Sequence, residues 1–404
     1  TTAAEKGEAD AVEAFKLADR SRGFDLHSGS QVRLTVLDLG DNINEFVWGH
    51  HHILMDGWCV GILIKEFFQL YEGYLSGKPA ALTTVYPYSD YMKWLMALDQ
   101  TASLSYWGNY LLDYNQTASF PKKNNYKTQD YNLCKTNIEL SKEVRASITD
   151  LCISLGITEN TFIQVIWGIL LSRYNNSKDV VFGAVVSGRP GEIAGIEEMI
   201  GLFVNTIPVR IQFSGKETIA ELLKTLQKKF AEGSQYHYTQ LANIQLENNK
   251  DRELFDHILA FENYPVQELI VKESGTNKKE NLSILSSEGF EQNGYDLTLF
   301  IFPHETLTFS FFYNDYVYSV STIEKLQAQL MQTIEQALAH PGLSLDKLVQ
   351  LSFTDNYTAL PSVSSVVDPS VPVLCSEHQN RMWFIDEFEK DYLYQGSPVY
   401  HNLP

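Results

Sequence analysis

Polar and apolar positions alternate from Gln31 to Asp38, with Val32, Leu34 and Val36 on one face, which predicts a β-strand. Gly40-Asp41-Asn42 is a turn signal, and the run EFVWGHHHIL from about 45 to 54 predicts a second strand, hence a hairpin. After Asp56-Gly57 the period becomes helical: Val60, Leu63, Ile64, Phe67, Phe68, Tyr71, Tyr74 and Leu75 recur on one side up to Gly77. Residues 1–20 read as a polar helical lead-in, and 84–114 as an aromatic-rich helix pair. Helices are predicted over 141–155 and 159–174, the second with Thr158 as N-cap and a stripe of Phe162, Val165, Ile166, Ile169 and Leu170. DVVFGAVVSG and GLFVNTIPVRIQF read as strands, 216–238 as helical, and FDHILAFENY, LTLFIF and LTFSFFYND as strand-rich. A last helix is predicted over 322–339 on Ile323, Leu326, Leu330, Ile334 and Leu338. Helices alternating with strands predict an α/β protein.

The polar stretch 115–130, with Pro121, Lys122, Lys123, Asn124 and Asn125, divides this pattern. It predicts a lobe over 1–120 and a second over 121–352, followed by a Ser/Pro/Val-rich linker at 353–372 and an aromatic fragment at 373–404. Two lobes suit the length, since 404 residues at 44% apolar content exceed one core of usual size. The 31 basic and 50 acidic residues give a net charge of -19, which lacks the basic footprint of a nucleic-acid binder and disfavours docking on anionic lipid. Cys59, Cys134, Cys152 and Cys375 are far apart and form no CxxC pair, so buried reduced thiols in a cytoplasmic protein are expected. No apolar run approaches the roughly 20 residues of a membrane span. The start, Thr1-Thr2-Ala3-Ala4-Glu5-Lys6, has no signal-peptide pattern and no initiator Met, which predicts a piece of a longer protein.

The strongest chemical signal is His50-His51-His52-Ile53-Leu54-Met55-Asp56-Gly57, at the end of a strand and before a turn into a helix. A rigid strand aims such side chains and the turn exposes them. Side chains alternate along a strand, so His50 and His52 share one face and His51 takes the other. A metal site on His50, His52 and Asp56 lacks an evident fourth ligand. A core histidine held by hydrogen bonds accounts for one of the three but not for a row. A general base fits better, because the free pKa of His lies near working pH.

At this point the residues resemble a known family. His51-His52-Ile53-Leu54-Met55-Asp56-Gly57 is similar to the HHxxxDG motif of the condensation domains of nonribosomal peptide synthetases, in the chloramphenicol-acetyltransferase-like superfamily. Gly23-Phe24-Asp25-Leu26, Tyr106-Trp107, Ser187-Gly188-Arg189-Pro190, the run Met199 to Pro208 and Phe261-Glu262-Asn263-Tyr264-Pro265 resemble further segments of that family, in its order. The resemblance implies a two-lobed pseudo-dimer in a V, with the motif at the lobe interface. It implies peptide-bond formation between an acyl or peptidyl thioester donor and an aminoacyl thioester acceptor. Both would arrive on the phosphopantetheine arms of carrier domains, upstream for the donor and downstream for the acceptor, beside neighbouring synthetase domains. No directly bound cofactor and no metal is implied.

Carried over by position, His52 matches the catalytic histidine, with His51 and Gly57 beside it, and Asp56 matches a structural residue salt-bridged to an arginine, for which Arg189 stands at the expected place. As plain surface features, Asp56 would be a helix N-cap and Arg189 a cation beside Pro190. Trp58, Ser187, Asn205, Glu262 and Asn263 are candidates for the substrate tunnel, Asn205 equally a strand-end turn former. The family pattern also implies about a hundred residues before Gly23 to complete a full first lobe, which is therefore expected to be incomplete on its N-terminal side. The piece Ser376 to Phe384, continuing to Pro404, resembles the opening of a condensation domain at the opposite end; it would start a second domain or pack back on the first lobe. The alternative within the superfamily is a non-catalytic or epimerization-type member that acts as a carrier-binding module. His51 and His52 argue against heterocyclization and recruitment types, and the Gly188-Arg189-Pro190 and Asn205-Thr206 segments against epimerization.

Overall fold

The computed structural model describes residues 3–82, 84–123, 131–248, 253–262 and 293–352, with short pieces at 282, 284–286 and 289–290. It forms two compact units. The first holds the described chain to Leu98, Ser187–Val204 and the short pieces at 282 and 284–286; the second holds Asp99–Val186 and, of the described residues, 205–262 and 289–352. The sequence pattern predicts a lobe boundary at 120/121, whereas the compact units part at Leu98 and an internal segment of the later chain belongs to the first. The expected linker at 353–372 and the fragment at 373–404 lie outside the described residues.

In the first unit, helix α1 (Ala3–Arg22) precedes strands β1 (Val32–Asp38) and β2 (Asn44–His50), which pair antiparallel. The turn between them takes positive φ at Gly40, Asp41 and Asn42, residues that tolerate it. Register sets Leu34 opposite Trp48 and Val36 opposite Phe46. The face that α1 covers is the polar one: Arg33 Nε lies 2.9 Å from Asp19 and Lys16 Nζ 2.8 Å from Glu45. The apolar face of Val32, Leu34, Val36, Phe46 and Trp48 remains exposed among the described residues. Phe46 meets Phe67 of α2 (Gly57–Ser76) edge-on at 5.8 Å. Helix α2 ends where Gly77 takes φ 65, and α3 (Tyr88–Met96) follows.

The second unit is built on six strands in the order β3-β8-β7-β6-β4-β5: Leu133–Leu140, Leu307–Asn314, Leu297–Pro303, Ile258–Phe261, Asp179–Val186 and Asn205–Gln212. The centre, β4-β6-β7, is parallel and the flanking pairs are antiparallel. Central strands are buried on both faces, as their continuous apolar runs require. Val180, Phe182 and Ala184 face a core shared with α5 (Lys142–Leu155), α6 (Glu159–Asn175), α7 (Ile219–Gly233) and α9 (Val320–Ala339). Val181 joins a separate core with Trp107 and Leu111, in and after α4 (Gln100–Tyr110), and with Leu241 and Ile244 of α8 (Leu241–Asn248). A short α10 (Leu345–Ser352) closes the described chain. Thr158 caps α6, its hydroxyl accepting from Thr161 N, and Thr218 with Glu221 forms a capping box on α7. Among the described residues no single helix is long and apolar enough to cross a membrane.

Candidate functional site

The histidine cluster straddles the end of β2. The strand stops at His50, and just beyond it His51 N donates to Gln31 O at 2.9 Å. His51 then turns the chain: its Nδ1 accepts from Ile53 N at 3.1 Å, and Leu54 N and Met55 N close back onto His51 O and His52 O. His52 therefore opens a 3-10 turn (His52–Leu54) rather than continuing the strand, and the expected sharing of one face by His50 and His52 does not hold. The reason is local: a ring nitrogen two residues upstream caps the turn and outcompetes the ladder. With Nδ1 accepting, a neutral His51 carries its proton on Nε2. His52 is exposed, while Met55, Asp56 and Cys59 just after it are buried.

Asp56 occupies the N-cap position of α2 but caps nothing with its side chain. Its Oδ1 lies 3.1 Å from Arg189 Nη2 and its Oδ2 accepts from Phe203 N at 3.0 Å. Both side chains are out of solvent, at 5% exposure for Arg189 and 0% for Asp56. Buried charges persist only when paired and hydrogen-bonded, which this carboxylate is at both oxygens. Arg189 Nη1 donates to Ile196 O at 2.5 Å and Met199 O at 2.9 Å, and its guanidinium stacks over Phe203 at 4.0 Å and Trp58 at 5.6 Å. The indole of Trp58 donates to Glu197 O at 2.8 Å. Gly57 is exposed at the first turn of α2.

Arg189 and Phe203 belong to the segment Ser187–Val204, which doubles back on itself. Gly188 has φ 60, and a Cβ there would lie 1.7 Å from Phe203 O, so only glycine lets the two ends approach. Aromatic side chains of α3 hold the segment from the other side. Tyr88 Oη donates to Leu202 O at 2.6 Å, and Tyr91 packs on Phe203 at 4.7 Å. Burial pushes the Tyr88 phenol up and that of Tyr91 up to about 12, so both are disfavoured as phenolates.

The structure thus joins His51, His52, Asp56, Gly57, Trp58 and Arg189 in one unit, with Ser187 exposed at the head of the doubled segment. Asn205 and Glu262 belong to the second unit. Asn205 Nδ2 donates to His237 O and Thr239 O, both at 2.7 Å, so its amide fastens a loop to the start of β5. Glu262 follows β6 and its N–H donates to Ile301 O at 2.8 Å. Asn263 lies outside the described residues. A metal at His50, His52 and Asp56 has no support in geometry, since the Asp56 oxygens face Arg189 and Phe203 N, and no group of ligating side chains gathers among the described residues. Sequence reasoning missed Cys59, Tyr88 and the Phe203 amide. Only Cys59 left a trace, standing three residues after Asp56 and so on the same side of the first helical turn.

This geometry accompanies a family match: residues 1–357 fit the model of the condensation domain, and the chain belongs to that family. It has the mixed α/β fold of condensation domains and is a domain of nonribosomal peptide synthetase type. It is 38% identical over 341 residues to a subunit of the plipastatin synthase of Bacillus subtilis (strain 168), covering 83% of this chain and 13% of that protein. It is 37% identical over 350 residues to bacitracin synthase 3 of Bacillus licheniformis, covering 86% of this chain and 6% of that one. The chain therefore spans a small part of the relatives it matches. Among solved structures, the X-domain from teicoplanin biosynthesis superposes with a TM-score of 0.67 at 18% identity, over 80% of this chain and 76% of that one. The first condensation domain of the CDA synthetase superposes with a TM-score of 0.60 at 17% identity, over 83% of this chain and 74% of that one.

Proposed function

We propose that this domain forms a peptide bond between an acyl or peptidyl thioester and the amine of an aminoacyl thioester, each carried on the phosphopantetheine arm of a carrier domain. The observation that carries the reading is the exposed His52, set on a turn that is capped by His51 and followed at once by the buried Asp56–Arg189 pair. In the reaction the neutral amine nitrogen attacks the thioester carbonyl and a C–N bond forms. The tetrahedral intermediate gives its ammonium proton to the His52 imidazole. The carbonyl reforms as the C–S bond breaks, and the thiolate leaves with the proton returned from His52. Two tethered reactants held in line supply much of the acceleration, since orientation alone is worth roughly 7–11 kcal/mol. Asp56 and Arg189 touch neither reactant in this scheme; they fix the turn. The arms are substrates, and the domain itself needs no bound cofactor for these steps.

The test is dipeptide formation from two loaded carrier proteins, followed by mass spectrometry of the carrier-bound product. The parent chain is expected to give product and His52→Ala to lose about 10²–10⁴-fold in rate, the usual contribution of a positioned acid–base group. Equal rates would remove the proton-transfer role and leave positioning alone. Carrier binding without product from the parent would replace the reading with that of a carrier-binding module.

A further inference from the structure

Cys59 is buried at 0% exposure, one helical turn after Asp56. Its Sγ lies 3.4 Å from Asp56 Oδ1, 3.3 Å from Arg189 Nη2, 3.3 Å from Gly201 O and 3.4 Å from Gly201 N. A thiol has one proton to donate and lone pairs to accept with. The sulfur can take the Arg189 and Gly201 N–H groups while its own proton goes to Asp56 or to the Gly201 carbonyl. It thereby touches both members of the ion pair and both arms of the doubled segment 187–204.

We propose that Cys59 is a positioning residue: its thiol, wedged between Asp56, Arg189 and Gly201, sets the pairing of the first two and through it the aim of the turn that carries His52. The proposal deepens the reading above and rests on it for its catalytic consequence, but its geometry does not depend on that reading. The backbone path is short. Asp56 N donates to Gly201 O, the oxygen the thiol also reaches, and the turn amides of Leu54 and Met55 close on His51 and His52 immediately before Asp56. A shift of Gly201 relative to α2 is passed to Asp56 and from there to the turn. Alanine removes the node. Valine keeps its bulk without any polar contact. Serine keeps donor and acceptor on a smaller atom with a shorter bond.

Two measurements on the full chain need no substrate. Site-resolved alkylation should leave Cys59 unlabelled in the parent and label it at least about tenfold faster in Arg189→Ala, because local opening exposes the thiol. Amide exchange should quicken about tenfold in Cys59→Ala and Cys59→Val, both at Gly201 and at Leu54 and Met55, with Cys59→Ser close to the parent. In the condensation assay, alanine and valine should each lower kcat about tenfold with KM for the carriers unchanged, and serine should restore most of it. The proposal is overturned if valine behaves as the parent, which would make the role one of packing. It is equally overturned if faster exchange stays at Gly201 and never reaches the turn, or if Arg189→Ala leaves the thiol protected. An inactive parent would sink the condensation reading, while exchange and labelling would still decide the role of Cys59.

Discussion

A half-buried histidine packed on an aromatic ring shows how much one side chain can tie stability to pH. His237 packs against Phe230 at 4.8 Å, and burial pushes its pKa from 6.5 down to about 4. The unfolded chain takes up a proton near 6.5, the folded one only near 4, so between these values the unfolded state binds more protons. The contribution is complete above pH 6.5 and lost as pH falls towards 4, by at most about 3 kcal/mol. Urea unfolding across that window should show a steep loss in the parent and a flatter profile in His237→Gln. Asn205 holds the backbone oxygen of residue 237, so this substitution leaves that fastening in place. A parent profile as flat as the variant's would mean that the ring is hydrated in the folded state. The histidine triplet and the Asp56-Gly57 step were readable from the sequence because they lie within eight residues of one another. The Arg189 partner lies 133 positions from Asp56 and was found by resemblance, not by pattern. Periodicity cannot report a contact across that distance, nor that a thiol would sit between the two charges.

At the scale of elements, local signals carried most of the reading. Thr158 and Gly77 mark the ends of α6 and α2 because caps act within one turn of themselves. The misses came from tertiary demands. Residues 201–204 are as apolar as a strand, yet β5 starts only at Asn205, because the preceding backbone bonds to Asp56, Cys59 and Tyr88 instead. The alternation in β1 gave the strand correctly but not which face is covered, since α1 brings salt bridges to the polar side. Helix α6 offers a test of packing against propensity. Replacing an interior helical glycine by alanine ordinarily stabilises by about 1 kcal/mol. At Gly168 the added Cβ would sit 2.3 Å from Cγ1 of Ile211 on β5, a side chain that is itself fully buried. Gly168→Ala should therefore destabilise by about 1–3 kcal/mol, the usual cost of overpacking, as read from the urea midpoint. A rise in that midpoint would mean that the helix and sheet can separate at small cost.

The whole molecule is two units of unequal solidity. The second has a six-stranded sheet between two layers of helices and a helix, α6, that is buried almost throughout. Among the described residues the first has a two-stranded hairpin with an exposed apolar face, an arrangement with little stability of its own. Unfolding should accordingly depart from two-state behaviour. Hydrogen exchange should open peptides from α2 and α3 at lower free energy than those from α6 and β4, and a single coincident opening of all four would contradict this. At this scale the ordered motifs made the family legible, while the division into units was not, because the segment Ser187–Val204 leaves one unit, joins the other and returns.

That detour bears on how such domains can be recombined. A crossover between parents at Leu98 looks natural along the chain, but it would draw Asp56, Cys59 and Trp58 from one parent and Arg189, Glu197 and Gly201 from the other. A graft of the first unit is complete only when it carries the distant 187–204 segment with it. Inheritance of this unit is therefore discontinuous in the gene, and a single exchange cannot move it intact.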